Sequence, residues 1–86
     1  MSEQLKAIEE YMKGKGLKLT APRKRVVLKL LSVKGHVAAD DLIELLRRDK
    51  TPVSKATVYR TLALVSQSGL IDGHVHIEVQ LTLNRA

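Results

Sequence analysis

Hydrophobic residues recur at spacings of three and four up to residue 69, and at a spacing of two from residue 75 onward. The first pattern is typical of amphipathic helices and predicts four of them, at about residues 3–13, 21–33, 39–49 and 54–67. The second pattern predicts a half-buried strand over about residues 74–83. A short partner strand is predicted at about 69–71, because Asp72-Gly73 is typical of a tight hairpin turn. These elements predict a mainly α fold with a small β wing, a winged helix-turn-helix, in one domain over residues 1–86.

Residues that favour helix ends lie at the boundaries of the predicted helices. Thr20 and Ser54 are good N-caps, and Pro22 is tolerated in the first turn of a helix. Gly69 can adopt the left-handed conformation that ends many helices. A loop at residues 34–36 is expected to separate the second helix from the third.

The positive charge of the chain is concentrated in one stretch. The 86 residues carry 15 Lys and Arg against 9 Asp and Glu, which gives a net charge of +6. From Lys13 to Lys34 there are eight basic residues and no acidic one. A local excess of this kind suits a polyphosphate partner such as nucleic acid. A lysine-rich surface that only improves solubility is the alternative interpretation.

The fourth predicted helix combines a hydrophobic side with a chemically selective one. At about 100° per residue, Val58, Leu62 and Val65 share one side, whereas Tyr59 and Arg60 lie on the opposite side. Arg60 can offer a fork of donors to guanine or a phosphate, and Tyr59 can contact a thymine methyl group or a phosphate. The positive end of the helix dipole also favours a phosphate at the capped N-terminus. This pattern predicts a helix that reads DNA.

Four blocks of sequence occur in order and at suitable spacing: Gly16–Arg23, His36–Leu42, Ala56–Leu62 and Ser68–Ile71. Together they resemble the DNA-binding domain of the ferric uptake regulator family, over roughly residues 10–71. Members of that family are bacterial metal- or peroxide-responsive transcription factors that bind A·T-rich inverted repeats as dimers. The resemblance implies that Tyr59 and Arg60 meet bases or phosphates in the major groove. It also implies that Lys18 reaches the adjacent backbone or the minor groove.

The residues and the resemblance together predict a DNA-binding set made of basic and hydroxyl side chains: Lys18, Thr20, Arg23, Lys24, Ser54, Lys55, Thr57, Tyr59 and Arg60. The predicted function is sequence-specific binding of double-stranded DNA by a transcription regulator of the ferric uptake regulator type, either a repressor or an activator. A winged-helix module that binds another protein is the alternative, because a fold does not determine a function. An enzyme is not expected, since the sequence has no cysteine nucleophile and no glycine-rich phosphate loop.

Three polar residues near the C-terminus have a spacing that suits metal binding. His74, His76 and Glu78 alternate along the predicted strand and would therefore share one side of it. Imidazole and carboxylate groups suit a divalent cation such as Zn, Fe or Mn. The resemblance implies that His36 and Glu78 match metal-ligand positions of the family. The alternative is that these side chains form the solvated side of the strand.

The predicted strand near the C-terminus also indicates how the protein could form a dimer. Residues 74–84 would present a long unpaired strand edge, which favours pairing with a second copy and predicts a homodimer. The resemblance implies a second domain with metal motifs, and the sequence has no cysteine to form its Cys-x-x-Cys motif. We therefore expect either a truncated regulator without metal sensing or a short relative that has lost it. No apolar run approaches the roughly 20 residues that span a bilayer, so we expect a cytoplasmic protein without a membrane partner.

Overall fold

The computed structural model describes residues 3–33, 35–70 and 75–78, with side chains at all of these except 35–36 and 75–78. Six elements follow one another: α1 (Glu3–Gly14), α2 (Ala21–Ser32), β1 (Gly35–Ala38), α3 (Ala39–Arg48), α4 (Lys55–Ser68) and β2 (Val75–Glu78). The prediction of a mainly helical, winged-helix-like fold is confirmed. None of the described helices has the length and the apolar composition needed to cross a membrane.

Two hydroxyl side chains cap the helices that matter for the site. Thr20 Oγ1 accepts a hydrogen bond from the Arg23 N–H at 3.4 Å at the start of α2. Ser54 Oγ accepts one from the Thr57 N–H at 3.2 Å at the start of α4. Each cap gives one first-turn N–H the partner that the helix itself cannot supply. By contrast, the N-cap residue of α3 is Ala38, which forms no side-chain cap hydrogen bond.

The C-terminal ends of α1 and α3 close in the same way but with different residues. After α1, the Leu17 N–H donates to the Met12 carbonyl at 2.8 Å, and Gly16 takes a φ of 75°. After α3, the Thr51 N–H donates to the Leu46 carbonyl at 3.0 Å, and the residue with positive φ is Lys50, at 61°. Both arrangements are Schellman motifs, in which glycine is favoured at the left-handed position. Lys50 therefore adopts a backbone conformation that is unfavourable for a residue with a Cβ.

One hydrophobic core joins the four helices, and α4 packs against α1, α2 and α3. The fully buried side chains include Ile8 and Met12 of α1, Leu30 of α2, Leu42 of α3 and Leu62 of α4. Each side chain of this size contributes about 1.5–3 kcal/mol when it leaves water. The helix predicted to read DNA is therefore also the helix around which the core is assembled.

The small sheet differs from the predicted hairpin. β2 pairs with β1 in parallel, with Gly35 opposite Val75 and Ala38 opposite Glu78. The predicted loop at 34–36 is therefore wrong at residues 35 and 36, which belong to β1. Leu70, at the predicted partner strand 69–71, lies outside any strand, whereas Asp72-Gly73 lies outside the described residues. A strand of four residues is too short to show a clear alternation, so the sequence pattern did not reveal it.

A buried hydroxyl group on α4 has no partner. Thr61 is fully buried, and its Oγ1 forms no hydrogen bond in the described part of the chain. We expect Thr61→Val, which removes the hydroxyl at similar volume, to raise the free energy of unfolding by about 1 kcal/mol. Urea denaturation followed by circular dichroism measures this change.

The matched control is Thr57→Val on the same helix. The Thr57 hydroxyl accepts a hydrogen bond from the Ser54 hydroxyl at 2.9 Å. Its loss should leave the free energy of unfolding unchanged or lower it. A lower stability for Thr61→Val would mean that the hydroxyl has a partner in solution.

The positive φ of Lys50 generates a second stability prediction. Lys50→Gly should raise the free energy of unfolding by about 0.5–1 kcal/mol, because glycine adopts the left-handed conformation without strain. Lys50→Ala removes the same charge and keeps a Cβ, so it should give no such gain. Equal effects of the two substitutions in thermal denaturation would contradict this explanation.

Candidate nucleic-acid interface

Because the hydrophobic side of α4 is buried, the polar residues on its other side face solvent. Val58 and Leu62 are fully buried, whereas Lys55 and Arg60 are exposed. Ala56 is exposed as well, so a small side chain separates the charged ones along this surface. The arrangement places an arginine with five donors on a narrow helix face, as the sequence predicts.

The N-terminus of α4 is built by a pair of hydroxyl groups. Ser54 Oγ accepts from the Thr57 N–H and donates to Thr57 Oγ1 at 2.9 Å. Ser54 is exposed and Thr57 is half-buried. The pair fixes where the helix begins, and it leaves the positive end of the helix dipole beside the exposed Lys55. An anion approaching the N-terminus of α4 is therefore attracted by the helix dipole and by the Lys55 ammonium.

Tyr59 does not project freely beside Arg60. It is half-buried, and its hydroxyl donates a hydrogen bond to Asp40 Oδ1 at 2.9 Å. The Lys55 Nζ lies 5.9 Å from the centroid of the Tyr59 ring, within range of a cation–π interaction. Tyr59 therefore bridges α4 and the first turn of α3, because these two helices pack against each other.

The contact with Asp40 changes the acid–base behaviour of Tyr59. The hydrogen bond to the carboxylate raises the pKa of Tyr59 above its ordinary value of 10.0, and the loss of water around the group adds to this effect. The negative charge of Asp40 acts in the same direction, because an ionised tyrosine would lie beside a second anion.

A second group of predicted residues lies at the start of α2. Lys18, Thr20 and Lys24 are exposed, whereas Arg23 is half-buried. Arg23 Nη1 donates a hydrogen bond to the Lys18 carbonyl at 2.7 Å. Part of the Arg23 guanidinium is therefore used to hold the segment that carries Lys18, a role that the sequence did not indicate. No hydrogen bond or ion pair of the described residues joins this group to the group on α4.

Acidic residues adjoin the N-terminus of α4. A shallow pocket of about 440 Å³ is lined by residues of α3, of the following turn and of α4: Asp40, Ile43, Glu44, Arg47, Val53 and Lys55. Arg47 Nη1 lies 3.4 Å from Glu44 Oε1, so this pair partly neutralises the pocket. The site therefore has mixed charge beside α4, in contrast to the acid-free start of α2.

Three of the four predicted metal ligands, His36, His76 and Glu78, lie on the small sheet. The register places His36 opposite His76 across β1 and β2, and it places Glu78 opposite Ala38. His74 lies outside the described residues. Among the residues whose side chains are described, no three His, Asp or Glu residues form a group that could hold a metal ion.

Comparison with known proteins identifies relatives for most of the chain. The model of the ferric uptake regulator family matches residues 14–81. The ferric uptake regulation protein of Synechocystis sp. is 27% identical over 88 residues, which cover 93% of this chain and 53% of that protein. That of Neisseria meningitidis serogroup B is 32% identical over 68 residues, covering 78% and 46%. The peroxide operon regulator of Bacillus subtilis is 31% identical over 70 residues, covering 81% and 48%.

The chain spans about half the length of these relatives. No solved structure gives a significant match.

The raised pKa of Tyr59 generates a prediction about pH. The chain has two tyrosines, so a Tyr11→Phe background leaves Tyr59 as the one whose ultraviolet absorbance changes on ionisation. Tyr59 should then ionise above pH 10.0, and Asp40→Ala should return its pKa toward that value.

The raised pKa of Tyr59 also determines how its contact with Asp40 affects the stability of the fold as the pH changes. The folded pKa exceeds the unfolded one, so the stability from this contact is present below pH 10.0 and is lost as the pH rises through the folded pKa. An identical titration with and without Asp40 would contradict the contact in solution.

Proposed function

Because the chain belongs to the ferric uptake regulator family, we propose that it is the DNA-binding part of a transcription regulator and that α4 reads base sequence in the major groove. The observation that carries this proposal is the exposure of Arg60 and Lys55 on a capped helix whose other side is fully buried. A helix fixed in this way presents its donors to base edges without reorganisation. Relatives named ferric uptake regulation protein and peroxide operon regulator support regulation of transcription as the outcome of binding.

Affinity for the phosphate backbone comes from the start of α2. Lys18 and Lys24 are exposed there, in the stretch from Lys13 to Lys34 that contains no acid. Each lysine that neutralises a phosphate releases a counterion, so binding weakens as salt rises. Arg23 contributes with the donors that it does not use on the Lys18 carbonyl. Thr20 and Ser54 act by setting the two helix N-termini.

The regulator is proposed to bind an A·T-rich inverted repeat as a homodimer in the cytoplasm. An inverted repeat matches the two-fold symmetry of a dimer, since each copy reads one half-site. Pairing through residues 74–84 remains a proposal for this chain; among the described residues, β2 has one strand neighbour, β1. The function is binding and not catalysis.

A divalent metal is proposed as the effector, with the small sheet as its site. The parallel register brings the backbones of His36 and His76 to neighbouring positions. His36 and His76 on adjacent strands, with Glu78 two residues further along β2, are residue types whose nitrogen and oxygen atoms would suit Zn, Fe or Mn. His74, the fourth predicted ligand, lies outside the described residues.

The division of roles predicts different effects of two substitutions. Arg60→Ala should reduce discrimination among duplex sequences by about 1–3 kcal/mol, because a bidentate base contact is lost. Lys24→Ala should weaken binding to all duplexes alike and lower the slope of affinity against salt by about one. Selection from a random duplex library, followed by fluorescence anisotropy at several salt concentrations, measures both quantities.

Arg47→Ala serves as a control, since Arg47 is an exposed arginine paired with Glu44. It should keep the selected motif. If Arg60→Ala weakens all sequences equally, Arg60 binds phosphate and does not read bases. If the unsubstituted chain binds without enriching any motif, binding is only electrostatic and the proposed function is wrong.

A further inference from the structure

The contact between Asp40 and Tyr59 joins α3 to the helix proposed to read DNA, between residues 19 apart in sequence. Asp40 lies in the first turn of α3, and Tyr59 lies in the second turn of α4. The separation of 2.9 Å and the carboxylate acceptor make this a charge-assisted hydrogen bond. The tyrosine ring is thus fixed at its hydroxyl end by a residue outside the reading helix.

Asp40 is not explained by affinity for DNA. An exposed carboxylate beside a DNA-binding helix repels phosphates and weakens binding. The dipole of α3 favours an acid in its first turn, but Asp41 occupies that turn as well. What distinguishes Asp40 from Asp41 is the hydrogen bond from Tyr59.

A second side chain restricts the same ring. The Lys55 ammonium lies 5.9 Å from the ring centroid, so the ring is contacted at its hydroxyl by an anion and over one face by a cation. Because the hydroxyl proton is already donated to Asp40, Tyr59 has no donor left for a base or a phosphate. The remaining ring carbons suit an apolar contact, and the C5-methyl group of thymine is the apolar group that the major groove offers.

We propose that Asp40 is a positioning residue for sequence reading, which holds the Tyr59 ring so that its carbons contact a thymine methyl group. This inference rests on the proposed function of α4. It assigns a specificity role to a residue of α3 that itself touches no base. A ring held before binding loses less freedom on the DNA, so the contact discriminates better than that of a free side chain.

The test uses the duplex selected by the unsubstituted chain and compares thymine with uracil at each position, since uracil lacks only the methyl group. Fluorescence anisotropy gives the ratio of affinities at each position. The unsubstituted chain should prefer thymine at one position per half-site. Asp40→Ala should lower that preference by up to roughly 4-fold, which is the whole contribution expected of one methyl group that leaves water. Asp40→Asn keeps an acceptor oxygen and should retain most of the preference.

Two further variants separate positioning from charge and from folding. Asp41→Ala removes the same charge from the same helical turn and should leave the thymine preference unchanged. Tyr59→Phe removes the hydrogen bond from the other side, so it should reproduce the effect of Asp40→Ala. In the Tyr59→Phe background, Asp40→Ala should cause no further loss of preference.

Each contrary outcome is distinguishable. If the unsubstituted chain selects a motif and both Asp40→Ala and Tyr59→Phe keep the thymine preference, the positioning role is wrong and the proposed function stands. If Asp41→Ala lowers the preference as much as Asp40→Ala, the effect is one of charge and the positioning role is again wrong. If the unsubstituted chain selects no motif, the proposed function and this inference fail together.

Discussion

Burial of one side of α4 is the constraint on which the arrangement of the site depends. Val58, Leu62 and Val65 are fully buried against the other helices, and this fixes the rotation of α4 about its axis. At about 100° per residue, a shift of one position would carry Arg60 toward the core. An unpaired buried guanidinium costs several kcal/mol, so the core excludes that alternative. The exposed position of Arg60 is therefore a consequence of hydrophobic packing.

The same constraint explains why Tyr59 differs from its neighbour Arg60. Position 59 lies at the edge of the buried stripe, where α4 meets the first turn of α3. A large aromatic side chain at such an edge can bury part of its ring and still keep its hydroxyl at the surface. Its hydroxyl then finds the acceptor that the neighbouring helix offers, Asp40. Packing thus determines which side chain of α4 is restrained and which one extends freely.

The parts of the structure that could be predicted from sequence are those that depend on nearby residues. The caps at Thr20 and Ser54 require a hydroxyl three residues before the N–H that it accepts from, so a local pattern is sufficient. The pairing of β1 with β2 joins residues 35 and 75, and two helices lie between them. No local spacing encodes that register, and the hairpin signal at Asp72-Gly73 favoured a different partner for the strand.

The candidate site likewise has features that local sequence predicts and features that it does not. Exposure of Lys24 and Arg60 follows from helix periodicity and charge, that of Lys18 follows from its charge, and the structure agrees with both. The contacts of Arg23 and Tyr59 do not follow, because each depends on where a second segment lies. The sequence did not single out Asp40, for a further reason. The helix dipole already explains an acid in the first turn of a helix, so the residue type alone indicates no other role.

The distribution of charge bears on how this surface would discriminate. The start of α2 is rich in lysine and lacks acids, whereas α4 adjoins Asp40 and Glu44 across a shallow pocket. Positive charge attracts every duplex equally, so on its own it adds affinity without selection. Carboxylates beside the helix that we propose reads DNA would reduce that unselective attraction where α4 meets the duplex. On the proposed function, binding by α4 would then depend on matched contacts to base edges, and a mismatched duplex would meet acids without that compensation.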